Sequence, residues 1–175
     1  MRSLTQSVTV LSAVCGILIP QRAASQHVST QRTVTTDSCL PPSEFQLRGI
    51  AITSLSSVAL QTLGKPLRVT TDSGEDDGGR YEVQTFHYSD LEFSDVRGFV
   101  DRLATKTSTV ATPSGLRPGL SFSALRQVLA TQGVRLKQPA DTIDITTCDM
   151  PDAGIVLTLD RSQHVRALVI AAARP

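Results

Sequence analysis

The segment SLSSVALQTLGKP, residues 54–66, is a short amphipathic helix written together with its stop, and PGLSFSALRQVLATQG, starting at Pro118, repeats that punctuation. In the first copy Leu55, Val58, Ala59, Thr62 and Leu63 recur at helical spacing and share one face. Thr53, Ser54 or Ser56 can cap its start, Gly64 suits the left-handed position after the last turn, and Pro66 forbids continuation. In the second copy Phe122, Leu125, Val128 and Leu129 form the apolar face, Ser121 or Ser123 caps it, and Gly133 ends it. Helices this short are marginal alone, so each must lay its apolar face on something flat.

Each helix leads into strands. PLRVTTD, the turn-rich SGEDDGG, RYEVQTFHY, LEFSD and GFVDRLAT come after the first; DTIDITTC, the turn MPDAG, IVLTL, the turn DRSQ and HVRALVIAA come after the second. At a fixed offset of 65, LEFSDVRGFVDRL (91–103) lies over VLTLDRSQHVRAL (156–168), matching Asp95 with Asp160, Val100 with Val165 and Leu103 with Leu168. Each of these reads as a hairpin whose turn opens on Asp. The sequence therefore predicts an α+β fold of two tandem repeats, each a short helical segment packed on an antiparallel β-meander. Repeat 1 covers 45–110 and repeat 2 covers 112–172, with ATPSG as the joint and the Ser-, Thr- and Gln-rich residues 26–44 as an extended lead-in.

RGIAITSLSSVALQTLGKP and its echo GLRPGLSFSALRQVLATQG resemble the repeats shared by the β-lactamase-inhibitor protein fold and the SmpA/OmlA outer-membrane lipoprotein family. The resemblance implies two tandem helix-plus-sheet units in a secreted chain, with a concave sheet that grips a partner. The second copy departs from the pattern at its end, where Thr131, Gln132 and Gly133 stand in place of LG-x-P. No position matches an inhibitory motif, so no residue role is carried over.

Arg2, the apolar run VTVLSAVCGILIP and the small-residue exit Ala23-Ala24-Ser25 read as a signal peptide over 1–25. The run covers positions 8–20, short of the roughly 20 apolar residues a membrane-spanning helix needs. The expected product is exported, periplasmic or secreted, with no integral membrane span. Lipid anchoring through Cys15 is the alternative, although Val14 precedes it where a lipoprotein signal carries a small residue. The 17 bases and 16 acids nearly balance, and a leader would remove Arg2 and Arg22. A near-neutral chain lacks the basic face that nucleic acid requires. The absence of Asn excludes N-glycosylation. Outside the leader the cysteines are Cys39 and Cys148, an even pair that an oxidising compartment would join as a disulfide.

The chemistry-bearing residues do not converge. His27, His87 and His164 have no metal-sharing spacing, and the cysteines lack C-x-x-C, so no metal site and no cofactor is expected. Asp72, Glu75, Asp76 and Asp77 suggest a calcium loop, but Gly74 replaces one oxygen ligand and no closing Glu follows. There is no G-x-S-x-G elbow, and Asp160 with His164 is a dyad only on paper. What remains is surface. Tyr81, Phe86, Tyr88, Phe93 and Phe99 are five of the seven aromatic residues and cluster in the first meander. Alternation puts Phe86 and Tyr88 on one face and Tyr81, Val83 and His87 on the other, so Tyr81, Phe86, His87 and Tyr88 are the candidate binding surface. The expected function is an exported non-enzymatic protein-binding module, of envelope-assembly, scaffold or inhibitor type, with a protein partner in the envelope or outside the cell. The alternative is a small secreted hydrolase or ligand-binding protein using the cleft between repeats.

Overall fold

A computed structural model describes residues 33–35, 38–76, 79–150 and 152–172 of the chain. The expected leader over 1–25, Cys15 and His27 lie outside these residues. In chain order the ten strands are β1 (Thr33–Thr35), β2 (Gln46–Leu47), β3 (Ile50–Ala51), β4 (Arg68–Asp76), β5 (Gly79–His87), β6 (Glu92–Val96), β7 (Phe99–Thr105), β8 (Thr142–Thr146), β9 (Gly154–Leu159) and β10 (Val165–Ala171). Helix α1 (Ser56–Leu63) precedes β4, and α2 (Phe122–Thr131) precedes β8. Eight strands make one sheet in the order β1-β8-β9-β10-β7-β6-β5-β4, while β2 and β3 pair separately. Every neighbouring pair in the large sheet is antiparallel except β1 with β8.

This sheet corrects the expectation of two helix-on-meander repeats. β10 pairs with β7 from Leu168 opposite Thr105 to Ala171 opposite Arg102, so the strands after α1 and those after α2 form one continuous surface. The core is continuous as well, because Phe93, Leu103, Leu125, Ile145, Leu157, Leu168 and Ile170 belong to one buried cluster. The physical reason lies at the edges. FVDRLAT and VRALVIA would each close a separate meander with a row of unpaired N–H and C=O groups beside an apolar face. Pairing them with each other satisfies both rows and merges the two faces.

Helix α1 is also rotated from the face its periodicity predicts. Its buried residues are Ser56 and Ala59, with Leu60 and Leu63 packed against the core, whereas Leu55 is 51% and Val58 49% exposed. Leu55 is not helical; it sits extended at the cap position with no side-chain cap and bridges Phe99. Gly64 closes the helix at φ 77°, its N–H donating to Leu60 O. In α2, Ser121 Oγ accepts from Ala124 N, and Leu125 and Leu129 are the buried stripe.

The correspondence at an offset of 65 marks a local docking geometry. Before α1, Thr53 N donates to Val100 O (2.7 Å), Val100 N to Ser54 O (2.8 Å) and Ser56 N to Gly98 O (3.0 Å). Before α2, Gly119 N donates to Val165 O (2.7 Å), Val165 N to Leu120 O (2.8 Å) and Phe122 N to Gln163 O (2.8 Å). Thus each helix start is pinned to the hairpin that closes its segment. The hairpin turns are held alike, Asp95 Oδ1 accepting from Gly98 N and Asp160 Oδ1 from Ser162 N and His164 N. Thr53 has φ +65°, an unfavourable backbone for a β-branched residue, at the place where the second segment has Gly119.

Two long-range ties hold the beginning of the described chain. Cys39 and Cys148 form a disulfide across 109 residues, and Leu40 N and Cys148 N extend the β1–β8 pairing to Thr146 O and Leu40 O. Closing a loop of that length contributes about 4–5 kcal/mol in the chain-entropy account, and such bridges persist in the oxidising compartments exported proteins reach. The second tie is Glu44, only 4% exposed, whose Oε2 accepts from Thr112 Oγ1, Ser114 Oγ and Ser114 N. It fixes the short 3-10 turn Pro42–Glu44 to the joint at residues 111–115.

Candidate functional site

Alternation along β5 divides the four candidate contact residues between the two faces of the sheet. Phe86 and Tyr88 lie on the side covered by α1. Phe86 is opposite Phe93, their ring centroids 4.7 Å apart, and Tyr88 stacks on Phe93 at 6.3 Å. The Tyr88 hydroxyl donates to Gly64 O at the end of α1. Phe86 therefore spends its surface on packing, whereas Tyr88 stays partly exposed and also borders the groove described below. Tyr81 and His87 emerge on the opposite, more open face. Tyr81 lies far along the β4–β5 hairpin over Gly74, where a Cβ would collide with its ring, and the Arg97 guanidinium sits 5.3 Å from the ring centroid.

His87 is the centre of a polar chain running across four strands. Its Nε2 is 3.0 Å from Thr70 Oγ1 of β4, and its Nδ1 is 3.3 Å from Glu92 Oε2 of β6, which the register places directly opposite. Arg102 of β7 donates from Nη1 to Glu92 Oε1 at 2.8 Å. A carboxylate only accepts, so the contact to Glu92 is made by an Nδ1–H donor, and Nε2 is the ring atom that meets Thr70. Burial pushes the Glu92 carboxyl up, but the Arg102 hydrogen bond and charge, with His87 and Lys106, outweigh it and hold the group below its ordinary value. Asp101, next to Arg102 and unpaired at the irregularity of the β6–β7 ladder, is pushed up by burial, with Arg102 opposing.

Hydroxyl, imidazole and carboxylate in that order match the connectivity of a nucleophile with its base and orienting acid. Among the described residues, the backbone of β5 and β6 beside it does not supply an oxyanion site. Acyl transfer needs N–H donors converging on the developing oxyanion, whereas the N–H groups of β5 and β6 lie in the sheet plane and pair with strands on both sides. The array instead holds donors and acceptors in fixed positions facing outward.

Beside it runs a groove of about 210 Å³ between the ends of β6, β7 and β10, with Ala104, Ala167 and Val169 as floor and His87, Glu92, Arg102 and Lys106 among its polar lining. Pockets for small organic ligands are roughly 300–1,000 Å³, so this one has the size of a single inserted side chain. Its lining carries both charge signs around a small apolar floor.

Asp160 and His164, a dyad only on paper in the sequence, are engaged with the backbone of their own turn. Asp160 spends a carboxylate oxygen on two backbone N–H groups, and the His164 ring meets Ser162 O at 3.0 Å. The pair is turn geometry, not a dyad. The cleft expected between repeats is replaced at that seam by the β7–β10 ladder. Among the described residues no group of three or more His, Cys, Asp and Glu side chains is placed to hold a metal, and no helix is long and apolar enough to cross a membrane. Thr70, Glu92 and Arg102 escape a reading of the sequence alone. A hairpin drawn tightly through residues 88–91 would pair His87 with Glu92, but Thr70 and Arg102 join only once the register of β4 and β7 is known.

No protein-family model matches the chain, and no curated protein matches it. Among solved structures, the 1.5 Å crystal structure of an extracellular protein containing a SCP domain from Bacillus anthracis str. Ames is similar over 69% of this chain, at 14% identity and a TM-score of 0.44. The likeness spans 43% of that protein's chain.

Proposed function

We propose that the chain is an exported, non-enzymatic protein-binding module that engages its partner through the open face of the large sheet. The observation that carries this reading is the side-chain-sized groove floored by Ala104, Ala167 and Val169 beside the Thr70–His87–Glu92–Arg102 array. A rigid sheet presents these groups without an ordering cost, which favours recognition by a preformed surface. The partner lies in the cell envelope or outside the cell. Envelope-assembly scaffold and inhibitor are the two forms of this role, consistent with the resemblance carried by residues 48–66 and 115–133, and anchoring through Cys15 would hold the module at a membrane.

The test is affinity capture from the envelope and extracellular fractions, with the wild-type chain compared against Ala167→Arg, which fills the groove, and Arg126→Glu, on the exposed side of α2. Loss of the captured partner with Ala167→Arg and retention with Arg126→Glu is the expected result. Equal capture by both variants would remove the groove from the interface. Turnover of an ester or peptide substrate by the purified chain, abolished by His87→Ala, would establish the hydrolase reading instead.

A further inference from the structure

The eight-stranded sheet ends on two unlike edges, the three-residue β1 and the nine-residue β4. A long edge strand presents unpaired N–H and C=O groups to any strand that can lie beside it, and proteins ordinarily guard such an edge with charges. The charges around β4 have an unusual order. Arg68 and Asp72 stand two residues either side of Thr70, and Lys65 and Glu75 stand five either side, each pair of opposite sign. In an antiparallel pairing of two copies centred on Thr70, Arg68 of each copy faces Asp72 of the other, while Lys65 lies before β4 and outside the ladder. Facing residues in such a ladder emerge on the same side of the sheet, where opposite charges attract.

The apolar residues fit the same register. Val69, 46% exposed, would face Thr71, and Leu67, 76% exposed, would face Ser73. A slip of one residue in either direction sets Asp72 against Val69 or Leu67, so the charge pattern selects a single alignment. Arg68 and Asp72 are exposed and make no ion pair among the described residues.

We propose that β4 is a self-complementary edge through which two copies of this chain join, antiparallel about Thr70, into one continuous sheet. The inference concerns the edge and stands independently of the partner proposed for the open face. Its consequence for that face is geometric: the Thr70–His87–Glu92–Arg102 array of each copy lies beside its symmetry mate, doubling the surface on offer.

The experiment is sedimentation equilibrium of the purified full chain with its disulfide intact, over a concentration series up to the solubility limit. The wild type should show a monomer–dimer equilibrium. Arg68→Asp and Asp72→Arg should each weaken the dimer about tenfold, because each turns two facing pairs into like charges. An equimolar mixture of the two variants should recover wild-type strength, since every facing pair is then opposite again, and the double variant R68D/D72R should dimerise like the wild type. Far-UV circular dichroism verifies that these exposed substitutions leave the fold intact. A wild type that stays monomeric, as it would if β4 received a strand of another protein, overturns the proposal. So do single variants that dimerise normally, or a mixture no stronger than its components.

Discussion

Removing the Glu44 carboxylate should cost a large part of the stability of the fold. Its Oε2 accepts from Thr112 Oγ1 at 2.8 Å, Ser114 Oγ at 2.6 Å and Ser114 N at 3.1 Å, in a position only 4% exposed. In Glu44→Ala three donors lose their acceptor. The two hydroxyls, 3.3 Å apart, can turn to one another, and the half-buried Ser114 can reach water. The uncompensated loss falls on buried Thr112 and the Ser114 N–H, and amounts to about 3 kcal/mol. That is a substantial share of the roughly 5–15 kcal/mol by which a domain is stable. Thr112→Val removes the same contact from the other side, together with the acceptor of Leu116 N, for about 2 kcal/mol. Because both substitutions break one network, the double variant should cost at least about 1 kcal/mol less than the sum. The assay is urea denaturation followed by far-UV circular dichroism, as the chain has no Trp to report by fluorescence. A Glu44→Ala cost below about 1 kcal/mol, or strict additivity in the double variant, would refute the reasoning.

Three further sets of substitutions probe other parts of the molecule. Thr53→Gly should stabilise the fold by about 0.5–1 kcal/mol in the same assay, because relief of the φ +65° backbone exceeds the flexibility glycine adds to the unfolded chain; a loss would mean that Thr53 is not strained. Val58→Ser should change stability by no more than about 0.5 kcal/mol, while Ala59→Leu, at a position with no exposure, should cost about 1–3 kcal/mol; a Val58→Ser cost as large as that of Ala59→Leu would restore the face its periodicity predicts, which holds both residues. The folded Glu92 carboxyl titrates below its unfolded value, so its contribution is present above pH about 4.3 and is lost as pH falls through the folded value. The stability gap between wild type and Glu92→Gln should therefore close with acidification below pH about 4, and a pH-independent gap would contradict the Arg102 and His87 contacts. Asp101, pushed up by burial, has the opposite sign: its contribution is present below the unfolded value and is lost as pH rises through the folded one.

The parts of the fold legible in the sequence depend on local chemistry. Gly64 ends α1, Ser121 caps α2, Asp95 and Asp160 hold their hairpin turns, and Cys39 meets Cys148, each as the residue type alone suggests. The buried face of α1 departs from its periodicity because Leu55 counts as helical in the repeat but is extended in fact, bridging Phe99 across the chain. With so few turns, moving one residue out of the helix changes which stripe is buried. The larger difference, one sheet in place of two units, arises from β7 pairing with β10, a contact between strands far apart in the chain, Leu168 meeting Thr105 and Ala171 meeting Arg102. Nothing local distinguishes an edge that meets solvent from one that meets a second edge. For the site, alternation correctly separates His87 from Phe86 and Tyr88, yet the value of His87 comes from Thr70, Glu92 and Arg102. Those neighbours are supplied by register, and the β6–β7 ladder carries an irregularity between Ser94 and Asp95 that shifts every position beyond it.

The most direct measurement is site-specific photo-crosslinking in the exporting cell, with the reactive residue placed at Val169 on the groove floor or at Gln61 on the solvent side of α1. A protein adduct formed from Val169 and absent from Gln61 is the result expected if the open sheet face is where this chain binds. Adducts from Gln61 alone, or equally from both positions, would place the interface elsewhere and contradict the assignment.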